Sequence, residues 1–212
     1  MKSIAELGTF DVELPATSLS KDAVTLKSRI LQLCGIDPQD RPYSSEPLKI
    51  CYGFSLTPIG HCMLATLDER ICALYFSTVY QPTVALKSLA DAWPRSTLEH
   101  TPEHSRQLVE FVFSQKCLKT PIQLLLKGTP FQLDVWVSLM RIQLGHRTTY
   151  TELAETCGYP RAVRAVSNAI GANQIGYLLP CHRVLRKDGG IGGYRWGIDR
   201  KKWLLKSETD WR

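Results

Sequence analysis

The sequence lacks a long apolar run, a low-complexity tract and a disulfide framework. No part of its 212 residues approaches the roughly 20 consecutive apolar residues that cross a bilayer, so we expect no membrane partner. The opening "MKSIAELGTFDVELP" carries acids where a secretory signal needs an unbroken apolar segment, which argues against export. The 7 cysteines are scattered and form no CxxC pair. This pattern indicates free thiols in a reducing compartment, the cytoplasm or, in a eukaryote, the nucleus.

Motifs for nucleotide phosphates and for structural metals are also missing. No GxGxxG follows a strand pattern, and no G-K-[ST] occurs. No four-ligand set can be placed on Cys51, His61, Cys62 and Cys72, and no further cysteine or histidine has ligand spacing near Cys181. We therefore predict neither a cofactor nor a bound metal.

The excess of basic over acidic residues lies in one part of the chain. The net charge is +6, from 26 basic and 20 acidic residues. From Lys127 onward there are 14 basic and 7 acidic residues, which leaves 12 basic and 13 acidic residues before it. Such a distribution is typical of a surface for a polyanion, nucleic acid first. Charge alone leaves a solvated basic face without a partner equally open.

The first residues predict a helix and a linker. Residues 22–34, "DAVTLKSRILQLC", have apolar residues at helical spacing, and the predicted helix stops at Gly35. Residues 36–47 are rich in proline and polar side chains, as linkers are. Residues 1–47 are therefore interpreted as an N-terminal extension and linker of unknown role.

The next part of the chain predicts an α+β unit over residues 48–126. Three β-branched or aromatic runs are separated by "TPIG" and "DE", which suit tight turns, so we expect a small antiparallel sheet. Two helices and one more strand follow. The predicted strands cover 48–56, 61–67, 70–77 and 121–126, and the predicted helices cover 82–92 and 103–117.

Beyond Gly128 the pattern becomes helical. The segment "PFQLDVWVSLMRIQLG" predicts a helix from Pro130 to Gly145 with an apolar stripe for the core. A short helix from Thr149 or Tyr150 breaks at "GYP", and a second helix is predicted over "RAVRAVSNAIGAN". Two short helices joined by a glycine turn are typical of a helix-turn-helix. The stripe of the first helix comprises Phe131, Val135, Leu139 and Ile142, widened by Trp136 and Met140.

The segment "LLPCHRVLRKDGGIGGYRWG" carries the candidate chemistry. Cys181 is followed by His182, and a thiol becomes a strong nucleophile when a base or positive field gives the thiolate. A neighbouring pair is weak evidence by itself, and on the pair alone a structural cysteine is favoured. The later glycines with Tyr194, Arg195 and Trp196 suit a planar guest such as a nucleobase. A hairpin whose aromatic rings cap the core is the alternative.

The block "PCHRV", residues 180–184, closely resembles the active-site signature of the O6-alkylguanine-DNA alkyltransferases, also called methylated-DNA–protein-cysteine methyltransferases. The blocks "GTPFQLDVW", "TTYTELAE", "RAVRAVSNAIGAN", "GGYRWG" and "KKWLL" follow the order and spacing of that family. The resemblance implies an α+β fold with a small, ribonuclease-H-like α/β domain at 48–126. A mainly helical DNA-binding and active-site domain with a helix-turn-helix would occupy 127–212, and residues 1–47 have no family counterpart.

The resemblance also implies a reaction. The protein would flip O6-alkylguanine, or as a further lesion O4-alkylthymine, out of double-stranded DNA and transfer the alkyl group irreversibly to Cys181 in a single turnover. His182 would deprotonate the thiol through a water molecule, and Glu208 would orient that histidine. Asn173 would tie the helix-turn-helix to the active-site turn. Tyr150 would donate a proton or hydrogen bond as the guanine leaves.

The same resemblance assigns residues that hold the DNA and the base. Arg164 would replace the flipped base in the stack, and the small side chains of Ala162 and Ala165 would let their helix enter the minor groove. The protein would act as a monomer. The other DNA-binding candidates are Thr151, Arg161 and Lys187, and the candidate pocket residues are Val184, Tyr194, Arg195 and Trp196.

Two other functions remain as alternatives. A non-catalytic lesion-recognition protein, as in the alkyltransferase-like group, has another residue in place of the cysteine. A cysteine hydrolase would also pair a cysteine with a histidine, but it needs an oxyanion hole that nothing in the sequence indicates. The presence of Cys181, His182 and Glu208 favours the repair enzyme.

Overall fold

The computed structural model describes residues 10–11, 31–36, 47–77, 80–113 and 122–210, which form a mixed α/β fold. Within these ranges the strands are β1 (Phe10–Asp11), β2 (Leu31–Ile36), β3 (Leu48–Thr57), β4 (Gly60–Leu67), β5 (Arg70–Ser77), β6 (Ser96–His100), β7 (Ile122–Lys127), β8 (Thr148–Thr149) and β9 (Val184–Leu185). The helices are α1 (Pro82–Ala92), α2 (Pro102–Phe113), α3 (Pro130–Met140), α4 (Tyr150–Thr156), α5 (Val163–Gly171) and α6 (Ile198–Asp210). None of these helices is long and apolar enough to cross a membrane.

The main sheet is mixed, with seven strands in the order β1-β2-β7-β5-β4-β3-β6. The antiparallel sheet predicted from the sequence is its centre, where β3, β4 and β5 pair antiparallel. Around that centre, β6 pairs parallel with β3 and β7 pairs parallel with β5. The parallel pairing was not predicted, and it arises because helices α1 and α2 carry the chain back across the sheet.

Strand β2 corrects the prediction for the start of the chain. Residues 31–34 belong to a strand and not to the predicted helix, because β2 pairs parallel with β7 from Leu31–Ile122 to Ile36–Lys127. The apolar residues of "LQLCGI" fit the alternation of a strand as well as the period of a helix. Pairing with the neighbouring strand therefore determines which structure forms. Residues 22–30 of the predicted helix and 37–46 of the predicted linker lie outside the described residues.

The remaining strands and helices of this part agree closely with the predictions. The predicted turn "DE" is a tight one, with Asp68 and Glu69 both in the left-handed region at φ 49° and 62°. Helix α1 has the predicted bounds, and α2 starts one residue early, while 114–117 lie outside the described residues. Strand β6, "STLEH", was not predicted, because it is a largely exposed edge without an apolar run.

Helix α3 begins where predicted and ends sooner. Thr129 caps its start through a capping box with Gln132, and Pro130 occupies the first turn. The predicted continuation to Gly145 is wrong, because the last backbone bonds tighten into three-residue turns from Arg141 to Ser138 and from Ile142 to Leu139. The predicted stripe is buried at Val135, Trp136, Leu139 and Met140 and half-buried at Phe131 and Ile142.

Helices α4 and α5 occupy the region predicted to hold two short helices. Thr149 caps α4 through a capping box with Glu152, which confirms the predicted start at Tyr150. Helix α5 is shorter than predicted at both ends, since Arg161 and Ala162 precede it and Ala162 is its N-cap residue. Helix α5 turns Val166, Ala169 and Ile170 into the core and leaves its other face open to solvent.

The sheet region (residues 47–127) and the helical region (residues 128–210) are joined by backbone bonds. Beyond the residues of β5 that pair with β7, the Leu74 amide donates to the Gln174 carbonyl at 2.9 Å. The Gly176 amide donates back to the Leu74 carbonyl at 2.9 Å, so residues 174–176 lie beside β5 like a further short strand. One hydrophobic core runs through both regions.

Candidate active site

The candidate site is built on a short 3-10 turn, Cys181–Arg183, that follows Pro180. The amide of Cys181 donates to the carbonyl of Leu179 at 2.8 Å, and the amide of Arg183 donates to Pro180 at 3.0 Å. Strand β9 follows at once and pairs with β8, just before α4. The turn therefore places Cys181 between the helical pair α4–α5 and helix α6.

Asn173 fixes both the shape of this turn and the position of the sulfur. The side chain is only 1% exposed. Its Oδ1 accepts from the Ile175 amide at 2.7 Å, and its Nδ2 lies 3.2 Å from the Ile175 carbonyl and 3.3 Å from the Leu179 carbonyl. The same Nδ2 donates to the Cys181 Sγ at 3.2 Å. Asn173, which the resemblance predicted would tie the helix-turn-helix to the active-site turn, thus contacts the segment from Ile175 to Cys181 just after the end of α5.

Burial keeps Cys181 protonated at rest. The residue is 5% exposed, and desolvation raises the pKa of its thiol to about 11. The hydrogen bond from Asn173 opposes this shift of the pKa, as do the positive charges of Lys201 and Arg195. A thiolate therefore forms here only when a base takes the proton.

His182 is a neutral base held by Glu208. Its Nε2 lies 2.8 Å from Oε1 of Glu208, and because a carboxylate only accepts, Nε2 carries the proton. Burial lowers the pKa of His182, and the opposing effect of Glu208 is smaller. Nδ1 is buried without a hydrogen-bond partner among the described residues. Neutral His182 therefore has one unused acceptor next to the cysteine.

Arg183 holds the far side of Glu208. Its Nε lies 3.1 Å from both carboxylate oxygens and its Nη2 lies 2.9 Å from Oε1, while Nη1 donates to the Ile142 carbonyl at 2.6 Å. Burial alone would raise the pKa of Glu208, but His182 and Arg183 together outweigh it and lower that pKa to about 2. Glu208 is therefore a carboxylate across the whole physiological range.

Tyr150 lies at the start of α4 beneath the lip (residues 186–197). Burial raises the pKa of its phenol, the charge of Cys181 raises it further, and Arg186 opposes both. A Cβ atom at Gly192, where φ is 71°, would lie 3.1 Å from the Tyr150 hydroxyl oxygen. Glycine is required at this position for both the backbone conformation and the close approach.

The four predicted pocket residues lie at different depths. Val184 is buried in β9, and Arg195 crosses to the sheet region, where its guanidinium lies 5.5 Å from the Tyr75 ring centroid. The ring of Tyr194 lies 6.3 Å from that of His182 and 5.2 Å from that of Trp196. Trp196 is buried and packs edge-on against Phe76, so this ring caps the core, as the alternative interpretation of the lip expected.

The predicted DNA-binding residues differ in their exposure to solvent. Arg164 and Ala165 are exposed on α5, and Arg161 is exposed just before it. Thr151 is half-buried in the first turn of α4, and Lys187 is exposed in the lip. The opposite face of α5 is fixed by Trp136, whose Nε1 donates to the Ala169 carbonyl at 2.8 Å.

Sequence reasoning missed Lys201, which α6 buries completely beneath the site. Its Nζ donates to the carbonyls of Val184 at 2.6 Å and Gly193 at 3.2 Å. Lys201 and Glu208 are two helical turns apart, with buried Leu204 between them on the same face. The helical spacing of residues 201, 204 and 208 was the feature of the sequence that could have placed Lys201 on the buried face of α6.

The cysteines on which no metal-ligand set could be placed from the sequence are free thiols. Cys62 and Cys72 are buried free thiols, and burial raises the pKa of each to about 12. Throughout the described part of the chain, no three His, Cys, Asp or Glu side chains are arranged to hold a metal ion.

A buried cysteine with a neutral histidine and an orienting carboxylate is typical of proteins that use an activated thiol. The model of the 6-O-methylguanine DNA methyltransferase DNA-binding domain matches residues 130–210. The methylated-DNA–protein-cysteine methyltransferase of Methanosarcina acetivorans is 36% identical over 157 residues, which cover 74% of this chain and 97% of that protein. The chain belongs to the methylated-DNA–protein-cysteine methyltransferase family.

Two further relatives agree with this placement. The bifunctional transcriptional activator/DNA repair enzyme Ada of Escherichia coli is 32% identical over 180 residues, which cover 83% of this chain and 50% of that protein. The chain thus spans about half the length of that relative. The crystal structure of Mycobacterium tuberculosis OGT in complex with DNA is 30% identical, with a TM-score of 0.60 over 76% of this chain and 94% of that one. The mixed α/β fold is therefore similar to known alkyltransferase structures.

Proposed function

We propose that this chain is a DNA repair protein that transfers the alkyl group of O6-alkylguanine in double-stranded DNA irreversibly to Cys181, once per molecule. O4-alkylthymine is the second lesion it would accept. The observation that carries this proposal is the Cys181 sulfur, held by Asn173 next to the buried His182–Glu208 pair. Family membership supports the same reaction.

The transfer needs no cofactor, because the chain's own groups balance the atoms and charges. His182 Nδ1 takes the thiol proton of Cys181 through one water molecule, and the sulfur then bonds to the alkyl carbon. The bond between that carbon and O6 breaks, and its electron pair goes to guanine. Guanine takes a proton from the Tyr150 hydroxyl, and the proton on His182 restores the phenol. The products are unmodified guanine and a thioether, which water does not reverse.

Each supporting group acts on one step of this sequence. Glu208 keeps the proton of His182 on Nε2, so that Nδ1 stays available as the acceptor. Asn173 points a donor at the sulfur and so favours the thiolate over the thiol. The raised pKa of Tyr150 keeps its proton in place until the guanine anion develops.

We also propose that α4 and α5 form a helix-turn-helix that binds DNA without reading its sequence. The exposed Arg161, Arg164 and Lys187 would contact the backbone or enter the stack, and Ala162 and Ala165 would let α5 approach the minor groove. Thr151 would support the contact from α4. Alkylation at O6 weakens base pairing, so flipping the damaged base costs less than flipping a sound one.

The proposed layout is an N-terminal, ribonuclease-H-like sheet domain to residue 126 and a helical DNA-binding domain from residue 127. Pairing of β1 with β2 and of β2 with β7 supports assigning residues 10–11 and 31–36 to the sheet domain rather than to an extension of unknown role. One copy contains the whole site, so we propose that the protein acts as a monomer. Val184, Tyr194, Arg195 and Trp196 would border the flipped base.

Mass spectrometry of the intact protein and its peptides tests this function. The protein is mixed with a duplex that contains one O6-methylguanine, and with the undamaged duplex as the control. We expect the gain of one methyl group, located on the Cys181 peptide. Cys181→Ala should abolish the gain, and Cys157→Ala, which changes a half-buried thiol outside the site, should leave it intact.

Two outcomes would replace the proposal with another function. Tight binding of the damaged duplex without methylation of the protein would identify a lesion-recognition protein. Catalytic turnover of a small ester or amide that depends on Cys181 but not on DNA would identify a hydrolase.

A further inference from the structure

A buried lysine lies below the site and exchanges no atom in the proposed transfer. Lys201, the fourth residue of α6, is fully buried. Its Nζ donates to the carbonyl of Val184 at 2.6 Å and to that of Gly193 at 3.2 Å. These two carbonyls belong to β9 and to the lip, which follow the cysteine turn in sequence.

An ammonium group is unfavourable in this place. Burial removes its hydration, and the N-terminal end of a helix carries partial positive charge that disfavours a nearby cation. Among residues 47–77, 80–113 and 122–210, no carboxylate forms a salt bridge with Lys201. Burial lowers the pKa of Lys201 to about 8, which still leaves it mainly charged at neutral pH. Packing alone does not explain a buried charge without an anionic partner.

The anion that fits is the one formed during the reaction. The positive charge of Lys201 lowers the pKa of Cys181, and the thiolate in turn raises the pKa of Lys201. Asn173 already contacts the sulfur with a neutral donor at 3.2 Å. An amide dipole stabilises an anion less than a full opposite charge does at low dielectric, so Lys201 supplies what Asn173 cannot.

The two carbonyl bonds fix where this charge lies. Val184 is held from the other side by the parallel pairing of β9 with β8, directly before α4. Gly193 follows Gly192, the residue that passes over the Tyr150 hydroxyl. A single ammonium group therefore connects β9 and the lip, the two segments that follow the cysteine turn.

We propose that Lys201 is a positioning residue of the alkyl transfer: its buried ammonium is the counter-ion of the Cys181 thiolate and holds Val184 and Gly193 in place around it. The proton leaves with His182, so Lys201 keeps its own proton throughout. The inference rests on the proposed function for its reaction, but its electrostatic part concerns the thiol alone.

The first test uses the free protein without DNA. Iodoacetamide labelling is followed by peptide mass spectrometry, which separates Cys181 from the other thiols. The labelling rate is measured at neutral pH, below the pKa of about 8 at which Lys201 loses its charge. There we expect Lys201→Met to label about tenfold more slowly than the wild type, because it holds about tenfold less thiolate. Lys201→Arg keeps the charge and should label near the wild-type rate.

Lys202 is the matched control, because it is the next residue of α6 and is exposed. Lys202→Met should leave the labelling rate of Cys181 at neutral pH unchanged. If Lys201→Met does not fold, as judged by near-UV circular dichroism, Lys201→Gln takes its place with the same expected loss of rate, because it keeps an N–H donor but no charge. An unchanged labelling rate in a folded, uncharged variant would overturn the proposal.

The second test measures transfer from a duplex with one O6-methylguanine in a single turnover. At saturating duplex and neutral pH, Lys201→Met should react at least about tenfold more slowly, with an unchanged half-saturation concentration. The deficit should shrink as the pH rises through about 8, because Lys201 of the wild type then loses its own charge. A deficit that is constant with pH would mean a purely structural role and would refute the inference. If wild-type protein transfers no methyl group, the proposed function fails, while the labelling result for Lys201 still stands.

Discussion

Replacing Glu208 with glutamine is the sharpest perturbation of the site, because it removes one charge and almost no volume. Glu208 accepts from His182 Nε2 at 2.8 Å and from Arg183 through three contacts of 2.9–3.1 Å. An amide has one accepting oxygen and one donating NH2 group. Whichever way it turns, Glu208→Gln must point a donor at either the histidine or the guanidinium.

The magnitude follows from the strength with which the fold prefers the ionised carboxylate. Burial and these partners together change the pKa of Glu208 from 4.5 to about 2, and at 1.36 kcal/mol per pKa unit this preference is about 3 kcal/mol. A neutral amide resembles the protonated acid, so we expect Glu208→Gln to lower the free energy of unfolding by about 3 kcal/mol at neutral pH. Misorientation of His182 should slow methyl transfer by about 100-fold.

Urea denaturation and single-turnover transfer of a labelled methyl group measure the two effects. Glu110→Gln is the control, because Glu110 also pairs with an arginine, Arg106, but on the exposed surface of α2. Surface pairs of this kind contribute about 0–1 kcal/mol, so the control should change little. The reasoning is refuted if Glu208→Gln is as stable as the control, or if it transfers methyl groups at the wild-type rate.

Three further predictions concern His182 as the base, Asn173 at the cysteine turn and the packing of α3. Because burial lowers the pKa of His182, the histidine stays neutral as the pH falls to 6.5. The midpoint of the fall in transfer rate at acid pH should therefore lie below pH 6.5, and a midpoint above that value would exclude His182 as the base. Asn173→Ala leaves the buried Ile175 amide without a partner, so chemical denaturation should show a loss of about 1–3 kcal/mol, and because the donor to the sulfur is lost too, iodoacetamide labelling of Cys181 should be slower at a given pH. A Cβ at Gly128 would lie 2.6 Å from the buried Trp136 ring, so Gly128→Ala should cost about 1–3 kcal/mol in thermal unfolding, whereas Gly171→Ala, which meets nothing within 4 Å, should cost nothing.

Local signals explain why some elements were predictable. The start of α4 was readable because Thr149 and Glu152 form a capping box that the sequence shows directly. The three central strands have β-branched and aromatic runs between tight turns. Strand β2 was not predictable in the same way, because its short segment becomes a strand only when β7 lies beside it.

The candidate site shows the same division between local and distant signals. Cys181 and His182 were found from one quoted block, but adjacency does not determine whether their side chains cooperate. Their cooperation depends on Glu208, 26 residues further along, and on the packing of α6 that brings it to 2.8 Å from His182. Lys201 was missed because a lysine next to Lys202 in a basic segment is normally a solvated residue. Only the orientation of the helix distinguishes the buried lysine from the exposed one.

The bond pair between Leu74 and residues 174–176 has a consequence for anyone who wishes to divide this protein. The segment that connects Asn173 to the cysteine turn is held by backbone hydrogen bonds to β5. The shape of the reactive turn therefore depends on the sheet region as well as on the helical region. A fragment limited to the helical region would lose these backbone bonds and would expose the part of the Trp196 ring that packs against Phe76. Tags, split reporters and circular permutations should therefore avoid the boundary near residue 127 and be placed in exposed surface turns such as Asp68–Glu69.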